Sequence, residues 1–314
     1  MKAGTGARWA WLAALLLAAP SLAETRVLVA DPEPVIPVLI RDSTLQVRVA
    51  LGFPSALLLN SGPAMATGIK AFPIIGKMSF SSPLLPGGRA TFRFNRIGVG
   101  IEGASKKKLP TVWVDPDITA RGQGVISIFA MEGDRIALVR PSAPPSGREY
   151  VLGRDGTNDP EVMVRLGGEK IRVALAPDAP VSIMNARAAK ALESEGLVSR
   201  MAAVGLWEPI PRARLPYQRL RPAPGATLLG LPLVRPAARV SEAQAREIDA
   251  AVAAGTSNSD DDADTIVVTG ERDGGRRGRD PWILIGADVL DQCSRIELDR
   301  PGKRWILNCT FAGS

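Results

Sequence analysis

Few hydrolytic mechanisms are open to this chain. None of its 314 residues is histidine, which removes Ser-His-Asp and Cys-His nucleophiles and imidazole-held zinc or iron. Its two cysteines are too few for a thiolate metal cage. Carboxylate catalysis remains, as does a serine activated by lysine. Two turn-like stretches supply candidates: Leu57-Leu58-Leu59-Asn60-Ser61-Gly62-Pro63-Ala64 and Val173-Ala174-Leu175-Ala176-Pro177-Asp178-Ala179-Pro180. Together they hold one carboxylate (Asp178), one hydroxyl (Ser61) and one side-chain amide (Asn60). No spacing selects a lysine for Ser61. Asp178 suits capping its own turn, and Asn60 suits bonding the backbone of its neighbours.

The elements around these stretches read as short strands. Hydrophobic residues make up 46%, charged residues 23% and aromatics 5%, with 31 Gly and 26 Pro. That mixture favours many strands joined by turns over long helices. Residues 45–59, 91–101, 112–114, 136–139, 162–175 and 282–284 are the strand candidates. Asn185 to Glu195 reads as a short helix ended by Gly196. Asn60 and Ala176 lie 116 positions apart, and the same step carries Gly52 onto Gly168, so an internal repeat is expected. Ser127 then corresponds to Gly286 at a longer step, which requires extra residues in the later half. Val240 to Asp280 supplies them. A Ser241/Gln244 capping box opens a helix there, and acidic and Gly-Arg runs follow. The stretch Thr265-Ile266-Val267-Val268-Thr269-Gly270 within it reads as an added edge strand.

Residues 1–23 read as a secretory signal peptide: Lys2 and Arg8, an apolar run from Trp9 to Ala19, and a small residue, Ala23, for cleavage. No later segment is expected to span a bilayer. Export makes a disulfide plausible. If Asp299 faces Arg304 across Pro301-Gly302, Cys293 and Cys309 fall almost opposite each other, and a bridge between them clamps the hairpin. Net charge is +7, with a pI near 9.8, and about +5 would remain after signal removal. Such a charge favours anionic envelope surfaces or acidic partners. Lys106-Lys107-Lys108 has no interleaved aromatics, so nucleic acid is not expected and a solvated loop is.

These pieces resemble the retropepsin-like and pepsin-like aspartic proteases. The likeness rests on Ile285-Gly286-Ala287-Asp288-Val289-Leu290 leading into Ile296-Glu297-Leu298-Asp299, and on Ser61-Gly62 and Ala176 to Ala179 standing where that family carries its Asp-Thr/Ser-Gly turns. The resemblance implies a mainly β chain of two tandem β-barrel lobes related by a pseudo-twofold, with a few short helices. The lobes would be residues 24–145 and 146–314, the second carrying an insertion at about 240–280. In that family two carboxylates share one proton and activate a bridging water. Here Asn60 and Ala176 occupy the expected acid positions, and neither can do this. Asp178 starts from a different point of its turn. Asp288 matches an acid that the family keeps for structural reasons.

The expected function is therefore that of an exported, periplasmic or secreted pseudoprotease. It would hold an extended peptide or an envelope protein near Asn60, Ser61 and Gly62, and the pattern calls for no metal or cofactor. Two alternatives remain open: an aspartic-type endopeptidase using Asp178 or a partner chain's carboxylate, and a purely structural envelope protein.

Overall fold

The computed structural model describes residues 25–29, 34–73, 75–81, 89–102, 104–143, 147–254 and 280–311. The signal-like segment, Thr265 to Gly270 and both charge runs of the insertion lie outside them. The chain is mainly β. The first half contains β1 (Thr25–Val29), β2 (Val35–Ile40), β3 (Ser43–Ala50), β4 (Leu57–Asn60), α1 (Ser61–Ala66), β5 (Lys77–Ser81), β6 (Arg89–Ile101), β7 (Lys107–Asp115), β8 (Gly124–Ser127) and β9 (Arg135–Val139). The second half begins with β10 (Arg148–Gly153), β11 (Val162–Leu166), β12 (Glu169–Leu175), β13 (Ser182–Met184), α2 (Ala186–Ser194), β14 (Val198–Ile210) and β15 (Ala213–Pro222). It continues through β16 (Thr227–Leu228), β17 (Leu231–Pro232), β18 (Pro236–Arg239), α3 (Glu242–Ala253), β19 (Trp282–Ile285), α4 (Ala287–Leu290), β20 (Cys293–Asp299) and β21 (Arg304–Cys309).

Two seven-stranded sheets repeat one pairing scheme. The first runs β2-β3-β8-β4-β7-β6-β5 and the second β11-β12-β19-β13-β18-β15-β14. In both, the successive pairings are antiparallel, parallel, antiparallel, parallel, antiparallel, antiparallel. A further β2–β6 pairing closes six strands of the first sheet into a barrel. Period-two patterning drives this closure: Ile36, Val38 and Ile40 of β2 and Leu45, Val47 and Val49 of β3 are buried, while Val35 and Leu39 face out.

A third sheet, β1-β9-β20-β21-β10, takes strands from both halves. β9 pairs with β20 from Arg295↔Val139 to Asp299↔Arg135. The buried Trp305 of β21 meets Phe129 edge-on at 5.7 Å and donates its indole N–H to the Pro160 carbonyl at 3.1 Å. The Arg154 guanidinium lies 5.0 Å from the Phe129 ring and 5.7 Å from Trp305. It also donates to the carbonyls of Gly156, Thr157 and Asp159, so rings and carbonyls stabilise a buried cation. The main hydrophobic core passes from one half into the other without a break.

The repeat differs from the one expected by spacing. Gly167 and Gly168 both have positive φ and form the β11–β12 hairpin turn, a conformation that suits glycine. Gly52 instead follows β3 and belongs to the next connection. The apolar run 45–59 is two strands, β3 and β4, broken by residues 51–56, and Lys107 and Lys108 open β7 rather than a loop. The Ser241/Gln244 capping box is present, and Asn185 caps α2 through Ala188 N–H.

Asp299 pairs with Arg304 and Cys293 with Cys309 in the terminal hairpin, and the two cysteines form a disulfide closing 16 residues. Chain-entropy arguments assign about 3 kcal/mol to a loop of that size. Replacing both cysteines by serine is expected to lower unfolding free energy by about 2–4 kcal/mol in urea titration, and an unchanged midpoint would contradict this.

Candidate functional site

The connections after β3 and after β12 meet between the two halves. Ala50, Leu51, Gly52 and Phe53 from the first, with Leu175, Ala176, Pro177 and Asp178 from the second, line a chamber of about 270 Å³. Their approach is close, since a Cβ on Gly52 would sit 3.1 Å from the Leu175 carbonyl oxygen. Leu58, Val125 and Leu284 extend its apolar lining, and Trp207, Pro209 and Ile210 from the end of β14 close over it. A second chamber of about 500 Å³ shares Arg48, Ile118, Pro177, Asp178 and Pro209 with the first. The two form one groove, apolar at one end and charged at the other.

Register shows which residues correspond across the repeat. Val49 pairs with Ile126 and Leu175 with Ile285, so Ala50 matches Ala176. Leu57 pairs with Thr111 and Ser182 with Pro236. The Asn60 N–H donates to the Gln123 carbonyl, and the Asn185 N–H to that of Trp282. Asn60 therefore matches Asn185, not Ala176. Each asparagine stands at the start of a helix, α1 or α2. The expected pairing of Asn60 with Ala176 fails because it matched glycines in different conformations.

Asn60 is buried and has a structural task. Its Oδ1 accepts from the N–H groups of Ile118 and Thr119 at 3.0 and 3.3 Å, and its Nδ2 donates to the Thr119 carbonyl at 2.9 Å. It pins the 118–119 loop, which lines the groove, instead of bonding its own turn. Ser61 and Gly62 open α1 and are not among the groove-lining residues. Ala176 lies on the floor, its N–H donating to the Ile285 carbonyl at 2.9 Å. Pattern reading overlooked Ala50 because it ends a long apolar run without a visible break.

Behind the floor, the two halves solve one packing problem differently. A Cβ on Gly286 would lie 2.3 Å from the Val181 carbonyl oxygen, so only glycine fits. Its counterpart Ser127 instead donates its hydroxyl to the Phe53 carbonyl at 2.7 Å and accepts from Phe129 N–H. Asp288 is 4% exposed. It accepts from the Ser182 hydroxyl at 2.9 Å and from Arg235 N–H at 2.8 Å. Burial raises its pKa above the ordinary carboxylate value, and these two donors oppose the rise. Asp288 braces the turn from behind.

The acids of the charged chamber are each engaged by a donor. Asp178 lies 3.7 Å from Arg48 of the other half, and Asp291 lies 2.5 Å from Arg140. Glu208 accepts from Arg212 N–H. No known family model matches the chain, and comparison with curated proteins returns no match either.

Placing an acid at position 60 is expected to harm the fold and yield no activity. Asn60→Asp sets a carboxylate oxygen against the Thr119 carbonyl where an amide donated. The expected cost is about 1–3 kcal/mol, the usual penalty for a buried group left unpaired, read by urea denaturation with a peptide-cleavage assay alongside. Stability equal to the parent, or cleavage gained, would contradict the structural role.

Proposed function

We propose that the chain is a two-lobed relative of the retropepsin-like proteins that has lost its chemistry and holds extended peptides in the inherited groove. The observation that carries the proposal is the pair of alanines, Ala50 and Ala176, at matching positions on two facing turns. In the family it resembles, that place holds the proton-sharing carboxylates. Methyl groups there can neither accept a proton from water nor protonate a carbonyl. A groove with an apolar floor and charged rims still suits a peptide held through its backbone and a few side chains. Repetition of one pairing scheme in two sheets supports the lobed reading. The Cys293–Cys309 bridge suits an oxidising, exported setting. Among the described residues, no helix is long and apolar enough to cross a membrane.

The test is exposure of the purified protein to a diverse mixture of unstructured peptides, with mass-spectrometric reading of cleavage and retention. Retention without cleavage is expected, and Ala176→Trp, which fills the floor, is expected to reduce retention at least tenfold. Cleavage at defined sites would overturn the inert reading. Absence of retention would leave a structural envelope role as the better account.

A further inference from the structure

We infer that the exposed apolar and basic side chains between Lys70 and Met78, with those of β6 beside them, form a docking surface for an anionic lipid bilayer. From Ser43 to Val114 the chain carries nine Lys and Arg against one acid, Glu102, and Glu102 is paired with Arg26. This stretch nets +8, more than the +7 of the whole chain, so the remainder is close to neutral.

The same stretch exposes large apolar groups. Ile75 is 75% exposed, Met78 68% and Phe72 48%, and Met65 and Phe94 are exposed too. Backbone bonds gather most of them at one sheet edge: Phe72 N–H donates to the Phe94 carbonyl, and Phe94 N–H to that of Gly76. Met78 pairs with Phe92 in β6, and Gly98 further along pairs with Lys108 of β7. Side chains alternate along a strand, so Met78, Phe92, Phe94, Arg96 and Lys108 fall on one side of the pairing, where Phe92 is half-buried against Ala90, Val114, Ile118 and Val125. The exposed part carries Met78 and Phe94 beside Arg96 and Lys108. Lys70 is held beside β6 by an Asn95 bond to its carbonyl at 2.7 Å, and Lys77 opens β5. Lys70, Lys77, Arg96 and Lys108 are all exposed.

An apolar patch with a basic collar fits a surface whose headgroups are anionic and whose interior takes up apolar side chains. A neutral apolar partner would leave the collar without a counter-charge. An acidic soluble partner would leave Ile75 and Met78 in water.

Vesicle sedimentation tests this with the full mature chain. Binding is expected to vesicles of equal parts phosphatidylglycerol and phosphatidylcholine, to weaken with added salt, and to be slight on phosphatidylcholine alone. Each basic residue near the surface contributes about fivefold in partition. Lys70→Ala/Lys77→Ala/Arg96→Ala should therefore bind about a hundredfold more weakly, and Ile75→Ser/Met78→Ser should also lose binding. Both variants should keep the parent's thermal midpoint, these side chains being exposed. Equal binding to both vesicle types, or binding unchanged in either variant, would overturn the proposal. So would a lipid-free dimer abolished by Ile75→Ser/Met78→Ser, which would assign the face to a second copy.

Discussion

The shared sheet β1-β9-β20-β21-β10 sets the geometry of everything else. Pairing of β9 with β20 ties the end of the first half to the last hairpin of the second, 162 positions away at Arg135 and Glu297. The interaction is reinforced by charge. Glu297 is 3% exposed and accepts from both Arg135 and Arg295, so a buried carboxylate is bonded from two sides. Behind it, Trp305, Phe129 and Arg154 stack into one cluster. With both halves anchored this way, the connections after β3 and β12 have little choice but to face each other.

What lies at that meeting point follows from burial. Two carboxylates close together in a confined space carry a large electrostatic penalty unless protons and donors are arranged around them. Ala50 and Ala176 avoid it. The turns are braced from beneath: Gly286 packs under Val181, Ser127 reaches Phe53, and Asp288 holds Ser182 and Arg235. The one acid of the second turn, Asp178, faces Arg48 of the opposite half. Electrostatics in the groove thus link the halves by ion pairing.

Much of this architecture was legible in the residues, and unevenly so. Asp299, Pro301-Gly302 and Arg304 marked the last hairpin, and with it the disulfide, because turn chemistry and cross-strand charge agree locally. The caps of α2 and α3 were legible for the same reason. The break after β3 was not, since residues 51–56 (Leu-Gly-Phe-Pro-Ser-Ala) are nearly as apolar as the strands on either side. The hairpin β14–β15, whose end closes the groove, was missed because its Arg and Pro residues interrupt any alternating pattern. Above all, the repeat could not be aligned by residue identity. Gly168 is a glycine for its backbone conformation and Gly52 for close approach to Leu175, and only strand register tells these apart.

Whether Ala50 and Ala176 occupy a paired-acid position is best tested by putting acids there. NMR titration of the introduced carboxyl groups in Ala50→Asp/Ala176→Asp, beside each single variant, reads their coupling directly. The account predicts that in the double variant one carboxyl is held well above its value in the corresponding single variant, because the pair shares a proton. Carboxyls that titrate in the double variant as they do in the singles would place the two positions too far apart and contradict it.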